Sequence, residues 1–131
     1  MIRPIIFALL ITLQFFLSPL SVASTVGKVK VTGIYSDLAF HEESGDVLGE
    51  ELIIVFSREG YFVVFQSSEG EPTVPVVTPA KINEQQIVFT LPAPMAERGE
   101  FIGKISRNGL IGKFQSSGQV LHLKRKNSYW Q

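Results

Sequence analysis

From residue 24 onward the chain shows no sustained apolar period of 3.6 residues. Short runs rich in Val, Ile, Phe and Tyr recur instead, each ended by Gly, Ser, Asn or Pro, which is the mark of short β-strands joined by turns. The pattern predicts eight strands, over residues 28–41, 47–57, 61–67, 74–82, 86–91, 100–107, 110–115 and 119–125. The first is long for one straight strand, and Gly33 is expected to bend it.

Three turns repeat one formula: Ser57 with Gly60, Ser67 with Gly70 and Ser106 with Gly109 all read S-x-x-G, and Ser116-Ser117-Gly118 is a shortened version. A serine hydroxyl starts a turn and a glycine closes it. Connections this short favour sequential antiparallel neighbours. The one long interruption, residues 92–99, reads as a surface loop at one end of the fold. Eight such strands bury one face by closing into a barrel or by splitting into a two-sheet β-sandwich. Closure removes sheet edges, and eight strands suit a small barrel. The expected fold is therefore an all-β, eight-stranded antiparallel up-and-down barrel.

The stretch FIGKISRNGLIGKFQ, residues 101–115, reads as a hairpin that repeats itself. An Asn108-Gly109 turn would set Lys104 opposite Lys113, Gly103 opposite Phe114 and Gly112 opposite Ile105. A three-residue turn would set Lys104 opposite Gly112. The first register sorts Phe101, Ile105, Leu110 and Phe114 onto one face and both lysines onto the other, so it is preferred. The glycines then serve as bends covered by large side chains across the pair. Lys104 and Lys113 face water, sit beside acids, or hold an anion.

The first 23 residues differ in kind from the rest. Arg3 precedes a nearly unbroken apolar run, and Ser21-Val22-Ala23 supplies small residues before a cleavage site. This is the layout of a secretory signal peptide, with a retained anchor as the alternative. Cleavage leaves 108 residues, read as a single domain from 24 to 131. The chain has no Cys, so an exported domain of this size must be stabilised by burial and strand pairing alone. Disulfide-free exported domains point to a bacterial periplasmic or secreted protein.

Net charge is zero but unevenly spread: residues 24–71 are strongly acidic and residues 72–131 basic. The halves either pair inside the fold or leave a bipolar surface. The absence of a basic excess excludes nucleic acid as a partner. Polar residues on the outer face of the 101–115 hairpin would be costly against lipid, which excludes a transmembrane barrel.

No nucleophile signature or phosphate-cradling loop is present, so the reading is non-enzymatic and without cofactor. The polar cluster His41 to Asp46 has spacing that fits no metal motif, and no metal site is assigned. Glu50 and Glu51 alternate faces of one strand and cannot act as a pair. His122 faces opposite to Leu121 and Leu123, toward the interior or solvent.

Gly33-Ile34-Tyr35 on the first strand and Arg125 at the end of the last resemble the calycin pattern of lipocalin-like and avidin-like barrels. There a G-x-W on the first strand meets a basic residue from the last, with Tyr35 here in place of Trp. The resemblance implies a closed barrel with Arg125 stacked on Tyr35 near its closed end, or with Trp130 of the tail folded back into that place. The resemblance transfers no ligand, and two functions are expected from the residues themselves, the first from the aromatic side chains on the strands. One is a barrel binding a small apolar or amphipathic ligand, with Tyr35, Phe62, Phe89, Phe101, Phe114 and Arg125 as candidate contacts and Lys104 and Lys113 as candidate anion ligands. The other is a cell-envelope interaction module that meets a partner protein through loops and a bipolar surface.

Overall fold

A computed structural model describes residues 27–131, so the leader expected over residues 1–23 lies outside the described residues. Nine strands follow in chain order: β1 (Gly33–Ser36), β2 (Ala39–His41), β3 (Asp46–Ser57), β4 (Gly60–Gly70), β5 (Val76–Asn83), β6 (Gln86–Thr90), β7 (Glu100–Ile105), β8 (Gly109–Phe114) and β9 (Val120–Arg125). All pairings are antiparallel. β1 pairs with both β3 and β9, which closes a ring of eight strands, while β2 pairs with the far end of β3 outside that ring. The fold is an all-β closed up-and-down barrel, and the closing β1–β9 pair rules out two separate sheets.

The strand expected over residues 28–41 is broken into pieces. β1 and β2 share one register on β3, with Gly33 opposite Ile54 and His41 opposite Asp46. Between them Asp37 holds β3 by its side chain, its Oδ1 accepting the Glu50 N–H at 2.6 Å, and Leu38 is buried. The interruption comes there and not at Gly33, which makes room for Arg125: a Cβ at residue 33 would lie 2.7 Å from Arg125 Nη1.

The S-x-x-G formula holds at two of its three full instances. Ser57 Oγ accepts the Glu59 N–H, and Ser106 Oγ accepts the N–H groups of Asn108 and Gly109. Ser67–Gly70 makes no turn. β4 stays paired with β3 as far as Val47 opposite Gly70, because Ser67 faces the interior and Thr73 takes over its backbone groups.

The hairpin register differs by two residues from the expected one. Ser106 and Gly109 flank the tip, so Ile105 pairs with Leu110, Gly103 with Gly112 and Phe101 with Phe114. Lys104 is opposite Ile111 and Lys113 opposite Ile102; the lysines do not face each other. A two-residue slip keeps every side chain on its expected face. It gains an aromatic pair, Phe101 with Phe114 at 5.0 Å between centroids, and removes a like-charge pair. Phe101 itself covers both glycines: a Cβ added at Gly103 or at Gly112 would collide with its ring.

Inward positions from all eight ring strands form one core, including Tyr35, Leu52, Ile54, Val63, Phe65, Ile87, Phe89, Phe101, Ile105, Leu110, Phe114, Leu121 and Leu123. Strict alternation along the strands sorts these side chains inward: β7 reads exposed-buried three times over.

Candidate functional site

One end of the barrel is closed by the segment before β1. Val31 is buried in the core and Val29 packs against it. Arg125 reaches across this end. Its Nη1 donates to the Thr32 carbonyl at 3.0 Å, and its Nη2 donates to the Lys30 carbonyl and to Tyr35 Oη. Tyr35 Oη donates in turn to the Val31 carbonyl at 2.7 Å. The guanidinium carbon lies 4.7 Å from the Tyr35 ring centroid, and burial pushes the phenol pKa up against the opposing pull of Arg125. Trp130 does not take this place.

The opposite end is closed by residues within the 92–99 segment, expected to be a surface loop. Met95 is buried, a short 3-10 helix spans Ala96–Arg98, and the Arg98 side chain turns into the barrel. Its Nη1 donates to Glu50 Oε1 and Gln119 Oε1, each at 3.0 Å, and its Nη2 donates to Ser67 Oγ at 3.2 Å. The guanidinium carbon sits 5.5 Å from the ring centroids of both Phe65 and Phe114. Glu50 faces inward and Glu51 outward, as their alternation requires. Burial raises the Glu50 pKa above the usual carboxylate range; hydrogen bonds from Gln119 and the charge of Arg98 offset this only in part. Its Oε2 is buried without a partner among the described residues. The one signal for Arg98 in the sequence is Met95, an apolar residue in a segment otherwise fit for solvent.

Between these ends the interior is packed with aromatic rings. Phe89 stacks on Phe101 at 4.9 Å, and Phe114 meets Phe65, Phe89 and Phe101 edge-on at 6.0, 6.2 and 5.0 Å. The structure thus brings together Phe89, Phe101 and Phe114 as core, and Tyr35 and Arg125 as a closing pair. It does not bring Phe62 to them: Phe62 points outward, opposite Val55 and Pro79.

The outer wall carries two unlike faces. Across β1, β3, β4 and β5 an apolar row runs Ile34, Ile53, Val64 and Val77, beside a second row of Val55, Phe62 and Pro79. Val77 is 59% exposed. The C-terminal tail borders this face: Ser128 Oγ and the Tyr129 N–H donate to the buried Glu51 carboxylate, and Trp130 Nε1 donates to Gln66 Oε1 at 2.8 Å. On the opposite wall, β6 to β9, Lys104, Lys113, His122 and Lys124 are exposed together with Ile102, Ile111 and Val120. Among the described residues one ion pair forms, Arg98 with Glu50, so the uneven charge of the sequence remains on the surface.

Among the described residues no group of three or more His, Asp or Glu side chains is placed to hold a metal ion, and no helix is long and apolar enough to cross a membrane. Comparison with protein-family models, curated proteins and solved structures gave no match to this chain.

Proposed function

We propose that this is an exported, non-enzymatic interaction module of the cell envelope that works through its outer wall. The observation that carries this reading is the placement of the aromatic side chains. Phe89, Phe101 and Phe114 fill the barrel against one another, whereas Phe62 lies outside in a two-row apolar strip. A small apolar ligand inside would have to displace well-packed rings and forfeit the dispersion attraction between them. The strip suits a partner protein: it contains aliphatic and aromatic groups without lysine and is bordered by Trp130, the composition found at the centres of protein interfaces. The stacking of Arg125 on Tyr35 also supports the calycin-like resemblance, which would make the barrel a calycin-type scaffold whose interior has been filled.

A photo-cross-linking side chain placed at Val77, with one at Glu42 as control, tests this in the protein's own host. The expected result is one discrete adduct with another protein from position 77, lost on Phe62→Ser. No adduct, an adduct that survives Phe62→Ser, or an adduct of two copies of this chain would overturn the reading.

A further inference from the structure

The wall opposite the apolar strip has a different chemistry. Strand pairing sets Val88, Ile102, Lys113 and Val120 in one row, which Lys81 continues onto β5 two residues from Pro79 of the apolar strip, and Gln86, Lys104, Ile111 and His122 in the next. Lys124 extends the face beside Gly109. Cations and aliphatic side chains therefore interdigitate, each hairpin lysine directly across from an isoleucine. Ile111 is 56% exposed, and a shallow depression of about 570 Å³ lies between Lys104, Ile102, Ile111 and the β5–β6 turn. Among the described residues the acids bordering this face are Glu84 in that turn, Glu100 at the other end, and Asp37 and Glu69 beside Val120, and none is ion-paired with these lysines.

We propose that this face docks on the surface of an anionic phospholipid bilayer. Charge complementarity carries the argument, and the side-chain types select the partner. Lysine is depleted from protein interfaces, where arginine and aromatic residues dominate, and this face has lysine with isoleucine and valine. Lys81, Lys104, Lys113 and Lys124 are spread along and across the strands and do not converge, which fits a plane of many headgroups better than one multivalent anion. A lysine stem bends so that its ammonium stays among phosphates while its methylenes lie on apolar surface. Neighbouring Ile102, Ile111 and Val120 then reach the headgroup–acyl boundary, as the apolar side of an interfacial helix does. The barrel lies on the membrane and does not enter it. Because the apolar strip meets this face at β5 and runs round the ring to β1, a docked barrel presents Ile34, Ile53 and Val64 away from the bilayer.

Vesicle flotation tests this with the leaderless protein and two vesicle types, neutral phosphatidylcholine alone and a mixture containing about one quarter phosphatidylglycerol. Each lysine near an anionic surface contributes about fivefold to binding. The double variant Lys104→Glu, Lys113→Glu, checked for native circular dichroism, should therefore bind the anionic vesicles at least roughly thirtyfold more weakly. Raising salt to about 1 M should release the wild type, since the screening length falls to about 3 Å. Ser44→Ala, in the exposed β2–β3 turn, should bind as the wild type does. Absence of binding to anionic vesicles, equal binding to neutral ones, or full binding by the double variant would overturn the proposal. So would capture by soluble polyglutamate in place of the vesicles, which would make the face a site for an acidic polypeptide.

Discussion

Arg125 and Tyr35 lie 90 residues apart in the chain and stand directly opposite each other in the strand pair that closes the barrel. Their stacked contact ties the last strand to the first, and the same guanidinium bonds the carbonyls of Lys30 and Thr32 that cross the barrel end. Arg125→Ala should therefore lower stability by about 2–4 kcal/mol, the loss of several charge-assisted bonds and a cation–π contact. Arg125→Lys should recover little of it, because an ammonium cannot reproduce the planar fork. Urea unfolding followed by circular dichroism measures both.

The Phe101 ring occupies the space that a Cβ on Gly112 would need, and the Gly103 Cα and Ile102 carbonyl oxygen crowd the same point at 2.7 Å. Gly112→Ala should destabilise by about 1–3 kcal/mol through overpacking. Phe101→Leu alone should also destabilise, by leaving a gap among Phe89 and Phe114. Combined, the two should cost less than their sum, and a double-mutant cycle in chemical denaturation reads the coupling.

The buried Glu50 carboxyl gives stability a pH dependence with a definite sign. Its pKa is raised in the folded state, chiefly by burial, so between the usual glutamate range and the raised value the folded protein holds the proton more often than the unfolded chain. Stability contributed by this group is therefore full below that window and falls as pH rises through it. Relative to Glu50→Gln, the wild type should lose stability with rising pH across the window. Arg98→Ala, which leaves the carboxyl buried without its cation, should steepen the fall. Thermal unfolding across pH checks both slopes.

Trp130 is the single tryptophan and is 50% exposed where it bonds Gln66. Its fluorescence should be partly shielded from iodide in the native state. Gln66→Ala, which removes the acceptor for the indole N–H, should increase quenching with a stability loss of about 1 kcal/mol or less.

Much of this fold is legible in the sequence because strand alternation is a local signal. The eight ring strands, the inward set of Phe101, Ile105, Leu110 and Phe114, and the turn-forming Ser57 and Ser106 follow from residues close in sequence. Register is not legible: two slips differing by two residues sort the faces equally well, and the choice rests on Phe101 meeting Phe114 across the pair. Nor is Arg98, whose partners Glu50, Ser67 and Gln119 come from three other parts of the chain. Ser67 reads as a turn residue because its interior role depends on that same distant guanidinium. The two outer faces are hidden because rows across the consecutive strands β3 to β5 and β6 to β9 form only once the register is set.

Native mass spectrometry of the protein taken from its own host decides whether the barrel works through its outer wall or through its interior. The expected result is a complex with a second, different polypeptide that disappears on Phe62→Ser. A stoichiometric small molecule that stays bound in Phe62→Ser would contradict it.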